Sequence, residues 1–414
     1  MYRTLTPLAL ALLCCQAQAA FVDDSKASLE MRNFYFNRDF RQDGAAQSKI
    51  DEWAQGFLLR YESGFTEGTL GFGVDAIGLL GLKLDSSPDR AGSGLLQRDR
   101  EAPRRAQDSY GDLGLTAKVR ASNSVLKLGT LIPKLPVLMS NDSRLLPQVF
   151  EGGQLTVQEI SNLSVDLGQL RQVNQRDSQD YEDISLTTGA AKGIVTRSNA
   201  SDRFNFGHLN YKWTDSLSTS YSYGELEHLY RQHMLGLGHT WALGGGQTLK
   251  SDLRFARSLD DGASNVDNKA LGAMFTYGIG GNAFGLGYQR MSGDTGFAYI
   301  NGADAYLVNF VQIGDFANKD ERSWQARYDF NFASVGIPGL TFMTRYLSGD
   351  AIDLGAGRPD GKEWERDMDI GYVIQSGPLK NLGVKWRNAT VRSSHFGNDL
   401  DENRLIMSYT LALW

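Results

Sequence analysis

The sequence predicts an all-β protein: a transmembrane antiparallel β-barrel of about 18 strands, with inward-folded loops forming a constriction. Three observations predict it. Segments of strict period-two alternation run from end to end, the breaks between them alternate short and long, and a secretory leader precedes a chain without cysteine.

The leader is "MYRTLTPLALALLCCQAQA", residues 1–19, with one cation at Arg3, an apolar run from Leu8 to Cys15, and small residues at Ala17 and Ala19 before the cleavage point. A lipoprotein reading competes because of Cys14 and Cys15. Its processing needs a small residue before the cysteine, and here Leu13 or Cys14 stands there. The division is therefore 1–19 signal peptide and 20–414 transmembrane β-barrel channel domain. Both cysteines leave with the leader, so the exported chain must be held by hydrogen bonding and burial rather than disulfides. Its formal net charge of −6 becomes −7 when Arg3 is removed, which argues against nucleic acid as a partner. No linker divides the rest, and no later apolar run approaches the ~18–20 residues of a membrane helix.

"SWQARYDFNF" (323–332) sets Trp324, Ala326, Tyr328, Phe330 and Phe332 on one parity and Ser323, Gln325, Arg327, Asp329 and Asn331 on the other. A helix would smear these aromatics around its circumference; a strand gives them one face. "RLIMSYTLAL" repeats the pattern with Leu405, Met407, Tyr409, Leu411 and Leu413, as do "LSTSYSYG" and "LKSDLRFA". Short breaks fall at 63–68, 120–124, 213–216, 243–247, 278–283, 333–339 and 376–381. Long ones fall at 84–111, 131–153, 175–202, 292–322, 350–363 and 393–402. An antiparallel meander with tight turns at one end and long loops at the other has this rhythm. Counting from Ser28 gives roughly eighteen strands. A barrel of that width encloses water, so Trp324, Tyr328, Phe330, Tyr409 and Leu411 are expected to face lipid and the polar parity the lumen. A large soluble β-protein explains the alternation, but not the leader, the loop asymmetry and the missing disulfides together.

Enzyme motifs are weak. "GIGGNA" (278–283) fits a dinucleotide-binding pattern, but a strand follows where that fold needs a helix, so it reads as a hairpin turn. His208, His228, His233, His239 and His395 lack ligand spacing and read as wall or loop residues. No G-x-S-x-G occurs. The acidic "NDLDEN" (398–403) could gather a divalent cation, and is read here as a solvated loop. No metal and no cofactor is expected.

The cations are more informative. "GVKWRNATVR" (383–392) puts Lys385 and Arg387 opposite Val384 and Trp386 in parity; if Trp386 faces lipid, both cations face the lumen. Arg32 and Arg38 in "EMRNFYFNR" share a parity, and the first and last strands of a closed barrel are neighbours, so the pairs can form one basic strip guiding anions. The alternative is that these arginines pair with luminal carboxylates such as Glu30 and stiffen the wall. The break "LIPKLPVLMSNDSRLLPQVFEGG" (131–153) carries Pro133, Pro136 and Pro147 among apolar residues, unlike a solvated loop. Folded into the barrel it would narrow the lumen and bring Arg144 to the constriction.

"NDSRLLPQVFEGG" (141–153), "VQIGDF" (311–316), "ERSWQARYDFNF" (321–332), "PGLTFMTRYLSGD" (338–350) and "NRLIMSYTLAL" (403–413) resemble the OprD family of outer-membrane channels of pseudomonads, through the whole mature chain. The resemblance implies an eighteen-stranded barrel in the outer membrane whose third and seventh loops fold inward to an eyelet, with a ladder of basic residues guiding carboxylates. It assigns Arg144 to the third-loop arginine, Arg176 in "NQRDS" to an arginine near the eyelet, and Lys385 and Arg387 to the ladder on the penultimate strand. Lysine at 385 departs from the usual arginine pair, putting a bidentate grip there in doubt. Residues 292–308 correspond to the seventh loop, with Asp304 as its acidic eyelet residue.

The expected function is passive diffusion of small carboxylate-bearing solutes, aromatic or aliphatic. The alternatives are a channel of the same family for basic amino acids and peptides, and an outer-membrane barrel enzyme lacking any nucleophile and base found here. Expected partners are small carboxylates, outer-membrane lipid and lipopolysaccharide, and the barrel-assembly machinery. The sequence leaves open whether three barrels associate as a weak homotrimer.

Overall fold

The computed structural model describes residues 21–414, so the leader assigned to 1–19 lies outside the described residues. Eighteen strands form one closed antiparallel barrel. They are β1 Lys26–Phe40, β2 Lys49–Glu62, β3 Leu70–Asp85, β4 Ser109–Ala121, β5 Ser124–Leu131 and β6 Val149–Val157. Then come β7 Leu163–Asn174, β8 Phe204–Lys212, β9 Leu217–Leu226, β10 Tyr230–Gly244, β11 Gln247–Asp260 and β12 Asp267–Ile279. The last six are β13 Asn282–Ser292, β14 Arg322–Asn331, β15 Leu340–Ile352, β16 Gly361–Val373, β17 Gly383–Ser394 and β18 Leu400–Ala412. Each pairs with the next, and β1 pairs with β18 along its length, from Ser28 opposite Ala412 to Phe40 opposite Leu400. Among the described residues the barrel itself leaves no strand edge for other chains to template on.

The faces follow the alternation. On β14, Ser323 and Gln325 are fully buried inside, while Trp324 outside is 48% exposed to the membrane side. On β18, Leu405 and Leu411 point out while Glu402 and Arg404 point in. Tyr328 and Phe330 share Trp324's parity, and Tyr409 shares Leu411's. Trp386 is outward beside Leu405, which turns Lys385 and Arg387 inward.

The turn end uses segments such as 280–281, where Gly280 at φ 57 lets Ile279 pair directly with Asn282, so "GIGGNA" is a hairpin turn. At the other end the connections are loops 1 to 9, at 41–48, 86–108, 132–148, 175–203, 227–229, 261–266, 293–321, 353–360 and 395–399. Loops 5 and 6, nearly as short as turns, and loop 1 fall outside the six long breaks of the sequence. "NDLDEN" is corrected: β18 begins at Leu400, and Glu402 is a fully buried luminal side chain rather than a solvated one.

The lumen has an apolar filling. Leu135, Val137 and Leu138 of loop 3, Ile184 and Leu186 of loop 4, and Phe297, Ile300 and Leu307 of loop 7 pack with wall residues Phe204, Phe206 and Tyr230. On the opposite side Leu95 and Leu96 of loop 2 join Leu145 and Leu146 of loop 3 against Phe34, Phe36 and Leu58. The wall is thinned to admit them: a Cβ at Gly56 would meet the Leu145 side chain at 3.0 Å, and one at Gly224 would meet Val137 at 2.9 Å. Loops 2 and 4 therefore enter the lumen along with the expected loops 3 and 7.

Candidate functional site: a guanidinium-lined eyelet

Loops 3, 4 and 7 leave a cavity of about 450 Å³ between themselves and β17–β18, and its lining includes Arg144, Arg176, Asp304, Arg387 and Arg404. Loop 3 is stitched to loop 7 by the Asp304 amide donating to the Met139 carbonyl at 2.9 Å and by the Asn141 side-chain amide donating to the Asp304 carboxylate. Gln148 adds a bond to the Asn301 carbonyl at 3.1 Å. Arg176, at the start of loop 4, donates to Asn141 Oδ1 at 2.8 Å, so three loops meet at one asparagine.

Arg144 is held without a directly bonded carboxylate. Its Nε donates to the Ser93 carbonyl of loop 2 at 2.9 Å and its Nη1 to the Ser143 carbonyl at 3.1 Å. Among the described residues neither Arg144 nor Arg176 forms an ion pair. Burial pulls the Arg144 guanidinium well below the usual arginine range, and repulsion from Arg404 and Arg176 adds to it, while attraction from Glu402 works the other way. Arg176 is lowered too, chiefly by burial. Burial pushes Asp304 up to about 6, although the Asn141 hydrogen bond and the Arg176 and Arg144 charges work the other way.

The remaining cations are matched. Arg38 donates to Glu402 at 2.6 Å, and Arg404 donates to the same carboxylate at 2.6 Å and to the Gln312 carbonyl of loop 7 at 3.2 Å. Arg387 Nε sits 3.1 Å from both Asp369 oxygens, with Lys385 Nζ 3.4 Å from the same group. Arg32 is used differently: it pairs with Glu30 at 2.7 Å and Asp142 at 2.8 Å and donates to the Arg144 carbonyl at 2.7 Å, clamping loop 3 to the wall. The wall-stiffening alternative thus describes Arg32 and also Arg38 on Glu402, and its carboxylate pairing holds for Lys385 and Arg387 on Asp369. Of the seven residues singled out, Arg144, Arg176, Asp304 and Arg387 line the cavity, whereas Arg32, Arg38 and Lys385 do not.

Two contributors were missed. Arg404 is inward on β18 and only 1% exposed. Phe36 is an aromatic on the luminal parity, with the Arg144, Arg38 and Arg404 guanidinium carbons 5.3, 5.4 and 5.7 Å from its ring centre. The ring's quadrupole attracts all three cations and eases their crowding. The "NRL" and "NFYFNR" alternation carried both, had the luminal parity been read for all residue types. Among the described residues no three His, Cys, Asp or Glu side chains gather as a metal site.

A closed eighteen-stranded barrel with an aqueous lumen narrowed by inward loops is a channel of the outer-membrane porin class. The model of the outer membrane porin, OprD family, matches residues 19–413, and the chain belongs to that family. It is 39% identical to the porin-like protein GalP of Pseudomonas putida, over 99% of each chain. The solved structure of Pseudomonas aeruginosa OpdQ is 67% identical, with a TM-score of 0.89 over 96% of this chain and 100% of that one. OccK7 (OpdD) of the same species is 61% identical, with a TM-score of 0.86 over 94% and 100%. These relatives are channels rather than enzymes, and the protein is a substrate-specific channel of the outer membrane.

Proposed function

We propose that the channel passes small carboxylate-bearing solutes, and that the eyelet arginines guide them. The observation that carries this reading is Arg144: a buried guanidinium beside two other arginines, bonded only to backbone carbonyls and a serine hydroxyl. A carboxylate entering the cavity supplies the directly bonded counter-charge that Glu402 and Asp304 provide only from a distance, and its two oxygens suit a guanidinium fork. Arg387 and Lys385, tethered to Asp369, can lend a donor without releasing their own partner, so the solute is held briefly and leaves. The carboxylate passes down its gradient with no chemical step.

The alternative, basic amino acids, would draw on the four inward acids of β16: Glu363, Glu365, Asp367 and Asp369. Glu365 and Asp367 are fully buried, Glu365 capping the Ile313 and Gly314 amides of loop 7 at 2.9 and 2.7 Å and Asp367 holding Arg345 at 2.6 Å. They are committed to structure rather than offered to a solute. Liposome uptake of benzoate, gluconate and succinate against arginine and lysine tests the reading. Faster carboxylate entry is expected, and faster arginine entry would overturn it.

A further inference from the structure

On the membrane side of the loop end, four adjacent strands carry outward cations, Arg257 on β11, Lys269 on β12, Arg290 on β13 and Arg322 on β14, in two pairs offset by one outward step across the β12–β13 seam, where Lys269 faces Ser292 and Arg290 faces Leu271. Arg257 lies directly opposite Lys269, and Arg290 directly opposite Arg322. Like charges facing each other across a strand pair destabilise it, so the arrangement calls for an anion. Arg257 and Arg322 lean toward Asp267 and Asp350, while among the described residues Lys269 and Arg290 form no ion pair and are exposed. One outward step toward the turn end, on the order of 7 Å along the strands, stand Leu271, Tyr288 and Trp324, which are 53%, 45% and 48% exposed. Tyrosine and tryptophan mark the edge of the hydrocarbon, so the cations sit at headgroup depth in the leaflet on the loop side.

We propose that this rim patch binds the phosphates of lipid A, the anionic anchor of lipopolysaccharide in the outer leaflet. The aromatics and Leu271 receive the upper acyl chains, and Lys269 and Arg290 face the phosphate between strands already holding Arg257 and Arg322. Long loops emerge on the outer side of such barrels, which places the patch in the lipopolysaccharide leaflet rather than the phospholipid one.

The test is native mass spectrometry of the full barrel in detergent, titrated with bisphosphorylated lipid A, with dephosphorylated lipid A, and with phosphatidylglycerol. Lys269→Ala with Arg290→Ala should weaken bisphosphorylated lipid A binding on the order of 30-fold and leave the weaker dephosphorylated binding unchanged. Lys269→Arg with Arg290→Lys should bind as wild type, as should Arg171→Ala, an outward rim cation paired with Asp202 at 2.9 Å. Wild-type affinity in the double alanine variant would overturn the proposal. So would equal affinity for dephosphorylated lipid A or for phosphatidylglycerol, or a loss of binding in the charge-keeping variant or in Arg171→Ala as large as in the alanine pair.

Discussion

Arg144→Met removes one charge from the eyelet and keeps an unbranched side chain in the space beside Phe36. A carboxylate about 6 Å from that guanidinium, at an effective dielectric near 20, gains roughly 2–3 kcal/mol from it. The loss sets an upper bound of ~30–150-fold on the fall in benzoate entry relative to a neutral sugar, lessened as Arg404 and Arg176 lose a repulsive neighbour. The Ser93 carbonyl loses its donor, costing about 1–3 kcal/mol. That cost falls on loop 2 rather than on the barrel, and loop 2 keeps its anchor through the Ser93 amide and hydroxyl bound to Glu52 at 2.8 and 2.5 Å. Arg387→Met should do less, because Asp369 already neutralises Arg387 and retains Lys385 afterwards. The assay is uptake of labelled benzoate and sugar into proteoliposomes at two ionic strengths. Salt should reduce the Arg387 effect more than that of Arg144, which is 7% exposed. Equal losses for the two solutes, or a larger relative loss in Arg387→Met, would refute the reasoning.

Leu286 is 68% exposed, midway along β13, between Phe275 and Ala326. Leu286→Arg should cost ~2–4 kcal/mol of folding into bilayers, measured by denaturant titration in vesicles, while Phe330→Arg, at the turn end opposite Asn282, should cost less. Deleting 135–146 removes the loop 3 share of the luminal filling and should raise single-channel conductance while the barrel still assembles; unchanged conductance would place loop 3 outside the permeation path. With Asp304 titrating near 6, a fall from pH 7.5 to 5 neutralises the carboxyl and leaves the eyelet more positive. Anion-over-cation permeability should therefore rise on acidification, and Asp304→Asn should show the acidic value at both pH values.

What was legible in the sequence was whatever a period of two and the spacing of turns encode. Strand faces such as Trp324 against Gln325 follow from pleat geometry alone, so β14 and β18 could be oriented directly. The inward course of loop 3 was visible because Leu135, Leu145 and Leu146 have no reason to meet water. Loop 2 hides the same behaviour in only two residues, Leu95 and Leu96, amid charge. Partner choice was not legible: Arg32, Arg38 and Arg144 look alike as residues, yet one clamps a loop, one meets a glutamate across strands, and one stays without an acid. That division depends on which strands close the barrel and where the loops dock, contacts that join residues 110 positions apart for Arg32 and Asp142, 364 for Arg38 and Glu402, and 51 for Arg144 and Ser93. An aromatic on a barrel strand is expected to face lipid, but Phe36 shares the luminal parity of Arg32 and Arg38 because the docked loops make part of the lumen apolar.

The reversal potential of single channels across a potassium benzoate gradient bears most directly on the claim that unpaired eyelet arginines select anions. The account predicts the sign set by benzoate, shifting toward the potassium sign in Arg144→Met. A wild-type reversal potential with the potassium sign would contradict it.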